Sequence, residues 1–322
     1  MKILFILDPL KELNVHYDSS LAMIRNFTAR GHTCFFTNAQ DIFIHQDRVS
    51  TRAGSIRPKK NSLQFETGAL KVIALKNFDT VLARKEPPFN MAYIYMTYLL
   101  EYAEKDTLIL NSPRTLRNTN EKLATLEFPR LMPQTLVSGK AQTILEFQSL
   151  LKRDLILKPL DERGGRGITV LMKSGPKAQK IKSIRNLSQQ ETLPIMAQEF
   201  LSKPSLKADK RVFLLEGKFL AAYERRFAKG DFRGNLSQGA THHQTILSPQ
   251  EKKTLRQITP WLKRKKLHFV GLDLLDAKLL EINVTCPGGF PEADELYPEL
   301  KVFDRFAESV ERLVKKRKQR RG

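Results

Sequence analysis

The sequence predicts an α/β protein that opens with a small parallel sheet and continues into regions built from β-hairpins. Strand, helix and strand patterns follow one another over residues 2–37, which is the order of a parallel α/β unit. Apolar residues alternate on both sides of a short turn within residues 268–287, as expected for a hairpin. A chain of 322 residues with 41% hydrophobic residues is long enough for two or three globular subdomains.

The N-terminal elements are predicted from local signals. Residues 2–7 form an apolar run that predicts a buried strand. Asp18-Ser19-Ser20 is a helix-capping sequence before a helical pattern that continues to about Ala29, and Gly31 ends it. Residues 34–37 predict the second strand.

The rest of the first region contains one predicted excursion and one predicted ligand-binding edge. Residues 48–65 are polar and are interpreted as a surface excursion. Residues 79–83 predict a strand with Arg84 and Lys85 at its carboxyl end, where open α/β sheets bind anions; a solvated loop end is the alternative. A helix is predicted over residues 92–105, with Tyr95 and Tyr102 packed in the core, before a strand at 108–110.

A glycine-rich turn between two strands indicates a phosphate-binding segment. Lys158 lies on the strand at 154–159, Gly164 and Gly165 follow it, and a second strand is predicted at 168–172. Glycine lets backbone N–H groups approach phosphate oxygens, and the lysine supplies a positive charge. The segment lacks the Gly-Lys-Ser/Thr of a Walker A loop, and an ordinary mobile turn is the alternative.

Two further segments predict polar contacts near this site. The strand at 196–201 contains Gln198-Glu199-Phe200-Leu201, whose polar groups suit an adenine edge; an ordinary edge strand is the alternative. Asp209-Lys210-Arg211 begins another strand. Three arginines follow, namely Arg225, Arg226 and Arg233. Arginines at such loop ends suit the binding of carboxylate or phosphate, and exposed surface residues are the alternative.

The hairpin within residues 268–287 predicts a metal site. Glu281 and Asn283 lie two residues apart and therefore point to the same face of a strand. With a three-residue loop, Asp273 lies directly opposite Glu281, and two facing carboxylates are best tolerated with a cation between them. An oxygen-only ligand set suits Mg²⁺, and a solvated polar face is the alternative.

Charge and cysteine content narrow the class of protein. The net charge of +21 attracts polyanions, but the basic residues are spread along the chain and no nucleic-acid-binding motif accompanies them. We therefore do not expect a specific nucleic-acid partner, and we interpret residues 315–322 as a frayed, solvated basic helix end.

His242 and His243 are not predicted to bind a metal ion, because they lack partners with metal-ligand spacing. The two cysteines form no framework and no run is long enough to span a membrane, so a cytoplasmic protein is expected.

The order of these motifs resembles that of ATP-grasp ligases and, over nearly the whole chain, of bacterial glutathione synthetases. The resemblance is carried by Asp18-Ser19-Ser20, ARKEPPF at 83–89, Asn120-Glu121-Lys122, ILKPLDERGGRGI at 156–168, RGNL at 233–236 and VGLDLL…EINVT within 270–285. It implies an N-terminal domain at 1–120, two ATP-grasp subdomains at 121–200 and 201–314, and a basic tail at 315–322.

The resemblance also implies a role for each candidate residue. Lys122, Lys158, Gly164 and Gly165 would contact the ATP phosphates, the 198–201 segment the adenine, and Asp209 would belong to the nucleotide site. Mg²⁺, or Mn²⁺ in its place, would be held by Asp273, Glu281 and Asn283. Arg211, Arg225 and Arg233 would bind the dipeptide and the transferred phosphoryl group. Asp18, Ser19, Ser20, Arg84 and Asn235 would bind substrate, and Arg226 competes with Arg225 for its position.

The implied reaction joins γ-glutamylcysteine to glycine through an acyl phosphate, in a homotetramer. One departure from the family concerns the acceptor. The family continues Ser-Pro-Thr-Gly after this hairpin, whereas the sequence here is Cys286-Pro287-Gly288-Gly289. A related ligase with another γ-glutamyl peptide or another amino-acid acceptor is the alternative. A degenerate ATP-grasp fold that serves as a nucleic-acid or anion scaffold is the third interpretation.

Overall fold

Three β-sheets follow one another along the chain in the computed structural model, which describes residues 1–201, 208–228, 234 and 239–320. The first sheet has the strand order β3-β4-β2-β1-β7-β8, and two short strands pair with β4. Its strands are β1 (Lys2–Leu7), β2 (Thr33–Asn38), β3 (Ile42–His45), β4 (Arg48–Pro58), β5 (Phe65–Thr67), β6 (Lys71–Ala74), β7 (Thr80–Ala83) and β8 (Leu108–Leu110).

The parallel part of this sheet agrees with the prediction made from the sequence. Strand β1 runs parallel to β2 and β7, and β7 runs parallel to β8. The accompanying helices are α1 (Ser19–Ala29), α2 (Met91–Ala103) and α3 (Pro113–Arg117). The Asp18 carboxylate caps α1 by accepting hydrogen bonds from the Ser20 and Leu21 amides, each at 2.8 Å. The predicted cap and the predicted parallel pairing of the first two strands are confirmed.

The second and third sheets are antiparallel. The second has the order β11-β10-β12-β9, from β9 (Thr135–Ser138), β10 (Leu155–Pro159), β11 (Thr169–Leu171) and β12 (Ile195–Glu199), with α4 (Ala141–Leu151) and α5 (Lys177–Leu187). The third has the order β15-β14-β13-β16-β17, from β13 (Ala208–Leu215), β14 (Lys218–Arg226), β15 (Thr241–Gln244), β16 (Phe269–Leu275) and β17 (Lys278–Asn283). The remaining helices are α6 (Pro249–Arg264), α7 (Phe290–Leu296) and α8 (Val302–Gln319). Each sheet lies within one predicted domain range, while the boundaries themselves remain a prediction.

The C-terminal helix joins the third sheet to the first. Phe306 of α8 lies between Phe27 of α1 and Phe269 of β16, with ring centroids 6.2 Å and 5.0 Å away. Arg30 forms a two-point ion pair with Glu311 at 2.9 Å. The third sheet is therefore held against the N-terminal unit, and the two share one aromatic core.

The predicted surface excursion is wrong in its first half. Residues 48–58 form β4, which pairs with β2, β3, β5 and β6. Its polar residues are satisfied internally: the Thr51 hydroxyl lies 2.7 Å from the Thr37 hydroxyl, and both residues are buried. Buried hydroxyl pairs of this kind leave no hydropathy signal.

Two other expectations are corrected. Tyr95 and Tyr102 of α2 are 60% and 62% exposed, because this helix buries its opposite face through Tyr93, Met96 and Leu100. The basic segment after residue 314 is not frayed up to Gln319, since α8 continues that far. Lys318 pairs with Asp79 there, and Arg317 donates to the Glu104 carbonyl oxygen.

Candidate active site

The β16–β17 hairpin brings Asp273 and Glu281 opposite each other, as predicted, by a different local geometry. The turn has two residues, Asp276 and Ala277, both with left-handed φ angles of 50° and 60°. The register then shifts by one residue between Asp273 and Leu274, which restores the Asp273–Glu281 pairing. The predicted three-residue loop is therefore wrong, but the pairing derived from it is confirmed.

Asp273 is held by two arginines from neighbouring strands. Arg211 donates from Nε to Asp273 Oδ1 at 2.7 Å and from Nη2 to Oδ2 at 3.3 Å. Arg225 Nη2 lies 3.2 Å from Asp273 Oδ2. Burial favours the neutral acid, but the two guanidinium groups outweigh it and lower the pKa of Asp273. The carboxylate is therefore charged inside the protein.

The ion pairs of this sheet show which of the two candidate arginines, Arg225 or Arg226, faces the site. Arg225 is buried and forms a two-point ion pair with Asp209 at 2.7 Å and 2.8 Å. Arg226 is exposed and pairs with Glu224 at 2.7 Å. Arg225 is therefore the arginine that faces the site, although part of its charge is matched by Asp209.

The glycine of the predicted Arg233-Gly234-Asn235 segment packs against this ion pair. A Cβ atom on Gly234 would collide with the Asp209 carboxylate, so only glycine fits at this position. Arg233 and Asn235 lie outside the described residues.

Two buried lysines stand on the other side of the site. Lys122 Nζ donates to the Glu162 carbonyl oxygen at 2.6 Å and lies 3.2 Å from Glu281 Oε1. Lys158 Nζ donates to Gln198 Oε1 at 2.8 Å. Burial lowers the pKa of Lys158 to about 8, with nearby Glu281 opposing this effect and Lys122 adding to it.

The predicted adenine segment lies at the end of β12. The Gln198 side chain does not project freely, because it also donates to the Thr135 hydroxyl at 2.8 Å. Glu199, Phe200 and Leu201 follow and are half-buried. Strand β12 lies between β10 and β9, so it is not the edge strand that the alternative interpretation required.

The two lysines, Arg211, Arg225 and the hairpin residues line one cavity of about 170 Å³, whose lining does not include the 198–201 segment. Gly164 and Gly165 form part of its wall, with left-handed φ angles of 61° and 73°. Four cationic side chains and three carboxylates face it, which gives a local charge of +1: Lys122, Lys158, Arg211 and Arg225 against Asp209, Asp273 and Glu281. A cavity with this balance attracts a polyanion while keeping oxygen ligands for a cation.

The glycine-rich segment spans the gap between this cavity and the N-terminal unit. Asn120 Nδ2 donates to the Leu160 carbonyl oxygen at 2.8 Å, and the Phe89 amide donates to the Asp161 carbonyl oxygen at 2.9 Å. Arg163 forms an ion pair with Glu86. The start of the segment, residues 160–163, is therefore tied to the N-terminal unit.

A second cluster gathers the other predicted substrate residues. Arg84 is 5% exposed and donates to the Ser20 hydroxyl and the Pro287 carbonyl oxygen, each at 3.0 Å. The Ser19 hydroxyl accepts from the Phe290 amide at 3.2 Å. The Asp18 Oδ1 atom caps α1, accepting from the Ser20 and Leu21 amides. The N-terminal unit therefore touches the turn that follows the β16–β17 hairpin.

Glu121 is a site-supporting residue that the sequence did not single out by itself. Its Oε1 accepts three hydrogen bonds, from the Val284 amide at 2.7 Å, the Thr285 amide at 2.9 Å and the Thr285 hydroxyl at 2.9 Å. Burial, followed by the nearby charge of Glu281, raises its pKa. The only sequence signal was its position beside Lys122.

We expect Glu121→Ala to lower the free energy of unfolding by about 3 kcal/mol, because it leaves buried donors without an acceptor. Urea denaturation measures this loss. Glu121→Gln keeps an amide oxygen at the same place and serves as the matched control, with a loss of about 1 kcal/mol. Equal losses in both variants would show that the three hydrogen bonds do not stabilise this segment.

The metal ligands predicted from sequence have suitable chemistry. Asp273, Glu281 and Asn283 supply only oxygen donors on the facing strands of one hairpin, which hard divalent cations prefer. Among the described residues, Asp273 is paired with two arginines, whereas Glu281 is paired with Lys122 and with no arginine. Within the described ranges, no group of three or more His, Cys, Asp and Glu side chains could hold a metal ion.

Comparison of solved structures identifies the class of the fold. A D-cycloserine synthetase superposes with a TM-score of 0.66 at 12% identity, covering 96% of this chain and 99% of that one. The D-alanine–D-alanine ligase from Bacillus anthracis superposes with a TM-score of 0.60 at 11% identity, covering 98% and 99%. An ATP-grasp protein of the RimK type from Sphaerobacter thermophilus gives 0.61 at 14% identity, covering 96% of each chain. The chain has the ATP-grasp fold.

Sequence comparison narrows the class to a family. The prokaryotic glutathione synthetase N-terminal domain matches residues 1–117, and the ATP-grasp domain of the same enzyme matches residues 121–298. The glutathione synthetase of Photorhabdus laumondii is 36% identical over 98% of this chain and 100% of its own length. That of Nitrosomonas europaea is 39% identical over 92% and 93%. The chain belongs to the prokaryotic glutathione synthetase family, and its chemistry depends on ATP and a divalent metal ion. No helix in the described part of the chain is both long and apolar enough to cross a membrane.

Proposed function

We propose that this protein joins γ-glutamylcysteine to glycine with consumption of ATP, giving glutathione, ADP and phosphate. The observation that supports it is the cavity in which four cations face three carboxylates at the edge of the β16–β17 hairpin. Such a cavity suits the triphosphate group of a nucleotide together with a divalent cation. The N-terminal cluster around Arg84 lies where a second, anionic substrate would meet the same hairpin.

We assign Mg²⁺ as the ion, with Asp273, Glu281 and Asn283 as its ligands; Mn²⁺ has the same preference for oxygen. A bound Mg²⁺ would neutralise phosphate charge and leave ATP open to attack by a carboxylate. Arg211 and Arg225 keep Asp273 charged, so that this ligand is ready at neutral pH.

The protein's own groups position the reactants. The C-terminal carboxylate of γ-glutamylcysteine attacks the γ-phosphorus of ATP, and ADP leaves; the resulting acyl phosphate is attacked by the glycine amine, and phosphate leaves. Lys122 and Lys158 bind the nucleotide phosphates, and Arg211, Arg225 and Arg233 offset charge on the transferred group. Asp18, Ser19, Ser20, Arg84 and Asn235 bind the γ-glutamyl substrate.

Acyl phosphates hydrolyse readily, so the reaction needs a cover that excludes water. The segment at 160–167 spans the cavity and the N-terminal unit, and Gly164 and Gly165 supply backbone freedom. We assign this segment as the cover. The nucleotide base is assigned to the 198–201 segment at the end of β12, and Asp209 to the support of Arg225 beside the nucleotide.

The turn after the hairpin leaves room for a different acceptor. No heavy atom lies within 4 Å of the position that a Cβ on Gly288 would take, and Arg211 Nη1 donates to the Gly288 carbonyl oxygen at 2.8 Å. An amino acid larger than glycine as acceptor is therefore the second candidate. The family resemblance also supports a homo-oligomer.

Phosphate release measured with ATP, Mg²⁺ and γ-glutamylcysteine, with and without glycine, tests this function. We expect release that requires both substrates and a product of glutathione mass. Release that needs the dipeptide and a larger amino acid would establish the second candidate. If no phosphate is released with either acceptor, the ligase assignment is overturned.

We expect removal of residues 315–322 to leave kcat and KM unchanged, because the contacts of Arg317 and Lys318 are with the N-terminal unit and not with the cavity. It does hold Asp79 through Lys318, so the free energy of unfolding should fall by about 1 kcal/mol. Steady-state kinetics and thermal unfolding check both parts. A tenfold loss of kcat in the shortened chain would give the tail a role in catalysis.

A further inference from the structure

A second cavity, of about 610 Å³, shares no lining residue with the candidate active site. Its walls are the turn between β13 and β14, the end of α6 and one face of α8. Five cationic side chains and two carboxylates line it, which gives a net charge of +3: Lys218, Lys263, Lys266, Arg305 and Arg312 against Glu216 and Glu308. We call this cavity the basic cleft.

Most of the positive charge in the basic cleft is not matched within the described part of the chain. Of its five cations, Arg312 forms an ion pair there, with Glu216, and the other four form none. The negative end of α6 accounts for Lys263 beside it. It does not account for Lys218 and Arg305, which come from β14 and α8. Like charges that converge on one concave surface from separate elements favour a bound anion.

The floor of the basic cleft is a fixed scaffold. The Glu216 carboxylate accepts hydrogen bonds from the Ser309 hydroxyl and the Arg312 guanidinium. The Glu216 amide donates to the His268 carbonyl oxygen at 2.6 Å. The His268 amide in turn donates to Asn111 Oδ1 at 2.8 Å. Because turn, helix and strand are bonded to one another, little backbone entropy is lost when a ligand binds.

Two uncharged side chains complete the lining. The His268 imidazole is half-buried in the wall and forms no hydrogen bond with the described residues. Burial lowers the pKa of His268, so its ring is neutral at pH 7 and has one N–H to donate. The Phe219 ring is 47% exposed at the start of β14. An exposed aromatic face beside cations suits the stacking of a flat base.

The shape and charge of the basic cleft favour a small organic polyphosphate. Its volume falls in the range of about 300–1,000 Å³ that small-molecule sites occupy. Its net charge matches the roughly three negative charges of a nucleoside diphosphate at neutral pH. A nucleic-acid chain would instead require a track of cations that continues along the surface.

We propose that the basic cleft binds a nucleoside di- or triphosphate, with its phosphates among the cations of β14, α6 and α8 and its base on Phe219. This site is additional to the nucleotide site of the candidate active site. The inference does not depend on the proposed ligase activity.

Isothermal titration calorimetry of the full chain with ADP and Mg²⁺ at about 150 mM salt tests the site. We expect the double variant Lys218→Glu, Lys266→Glu to bind one ADP fewer per chain than the native protein. Its affinity at the basic cleft should fall at least about a hundredfold, because two phosphate-binding cations become anions. Lys158→Met should instead weaken binding at the candidate active site and leave the basic cleft unchanged.

The matched control is the double variant Lys177→Glu, Lys182→Glu. It makes the same change in net charge at two exposed positions of α5, and it should bind as many ADP molecules as the native chain. Circular dichroism checks that each variant is folded. Equal ADP binding by the native chain and the cleft variant would overturn the proposal, and so would an equal loss in the α5 control.

Phe219→Leu tests the position of the base. It should weaken ADP binding at the basic cleft about tenfold and leave the binding of inorganic pyrophosphate unchanged, because pyrophosphate has no base to stack. Equal affinities for ADP and pyrophosphate, both unaffected by Phe219→Leu, would overturn the assignment to a nucleotide. Displacement of ADP by a single-stranded oligonucleotide that the cleft variant no longer binds would assign the cleft to nucleic acid instead.

Discussion

Lys158→Met should lower ATP-dependent turnover by about two to three orders of magnitude, which is the factor that a phosphate-binding cation contributes. The substitution should not destabilise the fold. The reason lies in the pKa of about 8 that burial imposes on this lysine. Because the ordinary value is 10.5, the charged lysine costs the native state about 3 kcal/mol at neutral pH. That cost is full below pH 8 and falls to zero as the pH rises to 10.5, since the unfolded chain holds the proton over this range.

Methionine fills nearly the same volume and removes the buried charge. It also removes the 2.8 Å hydrogen bond to Gln198, which offsets about 1 kcal/mol of the gain. We therefore expect the free energy of unfolding to rise by about 1–2 kcal/mol while turnover falls. Urea denaturation and phosphate release measure the two effects on the same preparations.

Lys182→Met is the matched control, because Lys182 is exposed on α5 of the same subdomain. It should change neither quantity. In the native chain, kcat/KM for ATP should also decline above about pH 8, as Lys158 loses its proton. A Lys158→Met chain that is both active and less stable would show that this lysine serves the fold and not the nucleotide.

Glu281→Gln should lower turnover at least about a thousandfold. Glutamine is nearly isosteric with glutamate, but it removes the carboxylate that the arginines leave available for a cation. It also removes the negative charge 3.2 Å from Lys122. Asn283→Ala should have the same consequence through loss of the amide oxygen, and both variants should remain folded.

Activity alone does not separate loss of metal from loss of substrate, so a second measurement is needed. Titration with Mn²⁺, followed by water proton relaxation, should give weaker binding in both variants than in the native chain. Glu66→Gln is the control, since Glu66 lies on the first sheet in an exposed pair with Arg57. Native-like turnover in Glu281→Gln would exclude this residue as a metal ligand.

Local patterns predicted the elements around the site. The cap at Asp18, the parallel strands and the β10–β11 strands follow from short-range signals, because capping and strand alternation depend on neighbouring residues. Strand β4 was missed because Thr51 and Ser50 are polar, and only pairing with other strands reveals that they are buried. The exposure of Tyr95 was missed for a related reason: helical spacing shows which residues share a face, not which face is covered.

The sequence by itself determined the carboxylate pairing of the hairpin, the lysines and glycines of the cavity, and the family. Only the tertiary structure decided how these charges are matched. Asp273 pairs with Arg211, which is 62 residues away, and with Arg225 because β13 lies between β14 and β16 in the third sheet. The structure likewise placed Glu121 beneath Thr285, 164 residues away. Strand order brings distant residues together, whereas sequence patterns report only on neighbours along the chain, which is why the ligand types were predictable and their partners were not.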